Sequence, residues 1–204
     1  MSRPLQNRMT PTGEITATPE RGLMFGNRGG RIHNHNKEIV KEWASKQWIC
    51  CVLEFKKRQR SIMGNSYTEL FFLDEATALA SGHRPCFECR RKDAVRFATL
   101  WNSASGLAGR ARAPEMDKIL HPERLGDPET VNISALPSGS FCETGDAQFL
   151  ITPKGAQKWS FSGYESPTTI TGEVRALTPR SIRAVLAQGY RPLLHPSAGS
   201  LETL

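Results

Sequence analysis

The chain has 204 residues, 38% of them hydrophobic and 23% charged, with 27 Lys/Arg against 20 Asp/Glu and a formal net charge of +7. That length suits one large or two small globular units, and no apolar run approaches the roughly 18 residues of a membrane span, so no membrane partner is expected. The charge is one-sided: residues 1–60 hold 12 Lys/Arg against 5 Asp/Glu, while the remainder balances at 15 of each.

Such a field in the amino-terminal part favours a polyanion, with a solubilising basic tail as the plainer reading. Arginines near the start are not followed by an apolar stretch, so no signal peptide is predicted. Five cysteines without an export signal point to a reducing, cytoplasmic setting, where spaced cysteines are more often metal ligands or reactive thiols than disulfides.

Residues 1–30 are rich in Pro, Thr, Gly and Arg without a helical or strand period, and are expected to form a flexible basic arm. The glycine-rich run Phe25 to Arg31 reads as a loop; it lacks the lysine and spacing of a P-loop. Trp48 to Phe55 reads as a mostly buried strand that runs into a basic turn, Lys56-Lys57-Arg58-Gln59-Arg60. Tyr67 to Leu73 supplies a second strand, an antiparallel partner for the first. Asp74 suits an N-cap, alanines and Leu79 continue the helix, and Gly82 stands where a left-handed terminator belongs.

A second helix is predicted after Cys89, with Ala94, Phe97, Ala98 and Trp101 on one apolar stripe. Residues 103–112 read as a linker, and Pro114 to Leu120 as a short helix. In the last third, Phe141–Glu143, Gln148–Ile151, Lys158–Phe161 and Glu173–Ala176 are short strands between turn residues. Thr178-Pro179 opens a terminal helix with Ile182, Val185 and Leu186 inward, ended by Gly189. The fold class is therefore α+β: a small zinc-knuckle α/β domain over 31–110, then a β-rich unit with a terminal helix over 111–204.

Chemistry concentrates in Arg84-Pro85-Cys86-Phe87-Glu88-Cys89-Arg90-Arg91. Two cysteines two residues apart can hold one soft ion, because a tight turn points both thiolates the same way, and Pro85 stiffens the approach. Zinc needs further ligands, and Cys50 and Cys51 are the nearest candidates on the preceding strand. Neighbouring strand residues face opposite sides, and Cys51 is preferred because the other face would carry Cys50, Val52 and Glu54. The fourth ligand is left open among Cys50, His33, His35, His83 and water, and Cys142 reads as a buried apolar residue. The basic residues expected to meet phosphates are Lys56, Lys57, Arg58, Arg60, Arg84, Arg90 and Arg91.

The run Phe71-Phe72, Asp74, Ala78-Leu79-Ala80, Gly82, Arg84-Pro85-Cys86 and Cys89-Arg90 resembles the second half of the zinc domain of Ada-type DNA methyl-phosphotriester repair proteins. The match covers about residues 70–91 and implies that Cys86 and Cys89 are zinc ligands in a small α/β fold that contacts DNA. In that family an upstream Cys-x-x-x-Cys supplies a methyl-accepting cysteine, whereas Cys50 and Cys51 are adjacent here. The expected function is a zinc-binding protein that contacts DNA through its basic amino-terminal domain. Two alternatives are an enzyme, using a zinc-bound thiolate or a histidine group of His33, His35 and His121, and a non-catalytic interaction module.

Overall fold

Two six-stranded sheets and four helices make up the computed structural model, which describes residues 3–59, 61–198 and 201. The first sheet contains β1 (Gln6–Met9), β2 (Ile15–Ala17), β3 (Met24–Arg28), β4 (Trp48–Val52), β5 (Leu70–Phe72) and β6 (Arg84–Pro85), in the order β2-β1-β5-β3-β4-β6. Its pairs are antiparallel except β1 with β5 and β4 with β6. Helix α1 (Glu75–Ala80) follows β5, α2 (Arg91–Ala104) follows the Cys-x-x-Cys turn, and α3 (Ala113–Leu125) follows a connecting loop.

The second sheet is antiparallel throughout. It is built from β7 (Glu129–Asn132), β8 (Phe141–Thr144), β9 (Ala147–Thr152), β10 (Gly155–Ser160), β11 (Gly163–Tyr164) and β12 (Glu173–Ala176), in the order β11-β10-β9-β8-β12-β7. Helix α4 (Arg180–Ala187) closes the chain's regular structure.

Mixed α and β content agrees with the sequence reading, but the amino-terminal arm does not. Residues 1–30 supply three strands, and β3 is buried along its whole length between β4 and β5. Its composition concealed this. A side chain at Gly26 would meet the Ile49 carbonyl oxygen at 2.0 Å, so this glycine permits close strand approach rather than motion. The strands β4 and β5 therefore do not pair directly; each pairs with β3.

Local signals elsewhere place the elements well. Asp74 caps α1 by accepting from the Thr77 amide at 2.9 Å, and Gly82 sits at φ +79° just past the helix end. In α2, Ala94, Phe97, Ala98 and Trp101 are the buried stripe. The last helix begins one residue later than expected: Pro179 occupies the cap position, because the Thr178 hydroxyl accepts from the Phe141 amide instead.

The expected division near residue 110 is crossed by the core. Leu79, Phe97, Ala98 and Trp101 share one cluster with Met116, Leu120, Ile182, Val185, Leu186 and Tyr190. A second cluster joins Leu73, Ala76 and Ala80 of the first part to Phe141, Leu150, Trp159, Tyr164 and Leu177 of the second. Two buried acids then tie the carboxy-terminal segment to α1. Asp74 accepts from the Tyr164 hydroxyl at 2.7 Å and the His195 amide at 3.0 Å. Glu75 accepts from the Tyr190 hydroxyl at 2.6 Å and the Leu193 amide at 2.8 Å. Burial with several donors per carboxylate is how an interior acid is satisfied.

Candidate metal centre

Strand alternation decides which upstream cysteine meets the Cys-x-x-Cys turn. In β4, Cys51 faces one side of the sheet with Phe25 and Phe71 in register beside it, while Cys50 faces the other and joins Met24, Leu70 and Phe72 in the core. Backbone pairing of β4 with β6 brings the Cys-x-x-Cys turn alongside, with the Cys86 amide donating to the Cys50 carbonyl at 3.0 Å. The sulfurs of Cys51, Cys86 and Cys89 then all lie within 4.8 Å of one another. This cluster can hold a metal ion.

Among the described residues no fourth cysteine, histidine or acid joins it. Cys50, expected as a ligand, is completely buried on the opposite face, with the Arg90 guanidinium at 3.9 Å from its sulfur. His33 is held by the Thr68 hydroxyl at 2.6 Å and the Gly64 carbonyl at 3.0 Å, and His83 is buried with its ring near Trp48 and Phe72. His35 is exposed, and His121 stands edge-on to Trp43. The histidines thus do not form a shared hydrolytic group.

The thiols perturb one another. Donation from Cys51 and then Cys89, with the amides of Cys89 and Glu88, holds Cys86 far below the ordinary thiol range against the effect of burial. Cys51 is pushed up, first by its hydrogen bonds with Cys86 and Cys89 and then by burial. Three sulfurs this close, one held down and one pushed up by its neighbours, form an arrangement a soft cation can enter by displacing protons. Burial raises Cys142 to about 11, and it packs with Leu136, Val174 and Ala176, as expected of an apolar residue.

The predicted phosphate contacts divide. Lys56, Lys57, Arg58 and Arg91 are exposed. Lys56 and Lys57 both adopt positive φ at the loop tip, and Lys56 and Arg58 lie over the Phe55 ring. Arg58 also reaches Glu88 of the Cys-x-x-Cys turn at 2.5 Å. Arg60 lies outside the described residues.

Arg84 and Arg90 correct the sequence reading. Arg84 is buried and gives Asp117 two bonds, at 2.8 and 2.7 Å. Arg90 is buried against Glu75 at 2.7 Å and also bonds Asp93. These two arginines are internal counter-ions, and a phosphate could reach neither without breaking an ion pair.

Sequence reasoning missed a second charged cluster at the other end of β4. Arg28 and Arg124 stand 4.1 and 3.9 Å from the Trp48 ring centre, beside His83 and His121. The only signal for it was an unusual density of Arg, His and Trp in segments far apart in the chain.

Comparison with models of known families, with curated proteins and with solved structures returns no match. Among the described residues, no helix is long and apolar enough to cross a membrane.

Proposed function

We propose that the chain is a zinc-binding protein whose centre is formed by Cys51, Cys86 and Cys89, and that nucleic acid is its partner. The mutual approach of three sulfurs within 4.8 Å carries the metal part. Soft thiolate donors favour zinc among the common divalent ions. The Ada-type resemblance over residues 70–91 supports the same ion, because Cys86 and Cys89 fall on that family's ligand positions.

Around the centre, the exposed cations Lys56, Lys57, Arg58 and Arg91 are the groups available to a DNA backbone. With four cations of this kind, the logarithm of affinity should fall with the logarithm of salt at roughly −0.9 per phosphate neutralised. A salt titration with duplex DNA checks this. Lys56→Glu with Lys57→Glu should weaken binding and flatten the slope, and a failure to bind at low salt removes the partner while leaving the metal centre standing.

Three protein ligands, rather than four, favour one second reading. Structural zinc sites usually close with four ligands, whereas sites that act on substrates keep a position for water or an incoming group. Cys89 is also partly exposed. Methyl transfer from a phosphate triester of DNA to a cysteine thiolate is the reaction class this fits: the S–CH3 bond forms as the methyl C–O bond breaks, and the phosphodiester anion leaves. Zinc, when bound, would keep the thiolates unprotonated at neutral pH. Incubation with methylated DNA followed by mass spectrometry tests it; a methyl adduct on Cys51, Cys86 or Cys89 is the expected product.

A further inference from the structure

A groove of about 970 Å³ runs between the two sheets, walled by the β1–β2 turn, Arg28, Trp48, the end of α1, the end of α3 and the segment that leads into α4. Its size is within the range of sites that take small organic ligands. What distinguishes it is the condition of its arginines.

The protein neutralises buried guanidinium groups elsewhere: Arg84 with Asp117, Arg90 with Glu75. Arg28, only 6% exposed, makes no ion pair; the charge of Glu42, on the rim of the groove, favours it without outweighing burial. Its terminal nitrogens donate to the carbonyls of Glu42 at 3.2 Å and Gly13 at 2.7 Å, and its Nε has no acceptor. Arg124 repeats the pattern. It donates to the carbonyls of Gly82 at 3.0 Å and Lys46 at 2.7 Å, and its Nε is also unpartnered. Among the described residues, neither makes an ion pair.

A guanidinium has five donors, and a buried cation left with neutral acceptors carries an uncompensated desolvation cost. Burial accordingly lowers Arg28 to about 10 and Arg124 to about 9, with Arg28 adding to the effect on Arg124. Of the six acids that line the groove, Glu123 caps Ser181, Glu129 pairs with Arg183 and Glu143 with Arg175, while Glu14, Glu42 and Asp127 are exposed and pair with neither arginine. Asp117, the acid whose charge most favours Arg124, is committed to Arg84. Two cations over one indole ring therefore wait for a planar or tetrahedral oxyanion, the geometry guanidinium forks match best.

We infer that this groove is a binding site for a small phosphate-bearing ligand, held by Arg28 and Arg124, which share the contact with Trp48. It is independent of the cysteine centre, and neither conclusion requires the other.

Full-length protein, labelled with nitrogen-15, is titrated with sodium pyrophosphate and separately with AMP at constant ionic strength, with sodium acetate as control. Saturable movement of the Trp48 indole resonance, absent with acetate, is the expected result. Pyrophosphate binding as tightly as AMP assigns the recognition to the phosphate alone; tighter AMP binding adds the nucleoside as part of the ligand. Calorimetry on Arg28→Met and Arg124→Met should show affinity reduced at least about tenfold with unchanged far-ultraviolet circular dichroism. An unmoved indole with both probes in the wild-type protein overturns the inference, as does undiminished affinity in either variant. The wild-type titration decides alone should a variant fail to fold.

Discussion

The two ends of β4 show opposite treatments of charge. At the Cys51 end, three sulfurs lie within 4.8 Å of one another, and the buried arginines Arg84 and Arg90 are absorbed into ion pairs with Asp117 and Glu75. At the Trp48 end, Arg28 and Arg124 rest on an aromatic ring and on neutral acceptors, backbone carbonyls and the His121 ring, without an ion pair among the described residues. The first region pairs its buried cations internally and leaves only surface cations unpaired. The second leaves cations unsettled, at a cost in stability that a ligand can offset. Departures from internal neutrality of this kind mark binding regions more reliably than a count of basic residues does.

The largest expected effect comes from making the first region resemble the second. Asp117→Ala strips Arg84 of its partner in the interior and should destabilise the protein by about 3–5 kcal/mol, read by urea unfolding. A loss below about 1 kcal/mol would mean that the pair is not what holds β6 to α3.

His83 tests the Trp48 end through pH. Burial, then the charges of Arg28 and Arg124, push its pKa well below 6.5, and its Nε2 has no partner. The unfolded chain takes up a proton there as pH falls through 6.5 while the folded chain does not, so this group's contribution falls on acidification by about 1.4 kcal/mol per pH unit. Thermal melts between pH 7 and 5 should show that decline, and His83→Phe should flatten it. An equally steep decline in the variant would assign the sensitivity to another group.

A smaller effect checks the alternation itself. Cys50→Ala removes a core sulfur and should cost about 1 kcal/mol in urea unfolding, with metal content unchanged. Loss of metal in this variant would mean that the faces of β4 are misassigned. Smallest of all, Arg28→Met should change stability by less than about 1 kcal/mol, or raise it, because an unpaired buried cation is replaced by an apolar side chain of similar length. A clear loss of stability would make Arg28 a structural residue and weaken the contrast.

Much of this was legible in the sequence, for identifiable reasons. The Cys-x-x-Cys turn, the choice of Cys51 over its neighbour, the buried stripe of α2 and the inward face of α4 all follow from short-range periodicity. Asp74 announced itself as a cap, though not as the acceptor that anchors Tyr164 and His195. The strands of residues 1–30 were hidden because glycines that permit close packing read as loop. Arg84 and Arg90 were misread because nothing local shows that Asp117 lies opposite the first and Glu75 opposite the second. The groove was invisible for the same reason, assembled from segments that meet only in the folded chain.

Metal content of the purified protein tests the central claim most directly. Elemental analysis of the wild-type chain beside Cys50→Ala, Cys51→Ser, Cys86→Ser and Cys89→Ser should give one zinc per chain in the first two and none in the last three. Loss of that zinc should also lower the melting temperature by about 10 °C, as expected when a ligand bound roughly a thousandfold above its dissociation constant is removed. A wild-type chain that purifies without metal and takes up none when zinc is supplied would contradict the account, as would full zinc occupancy in Cys51→Ser.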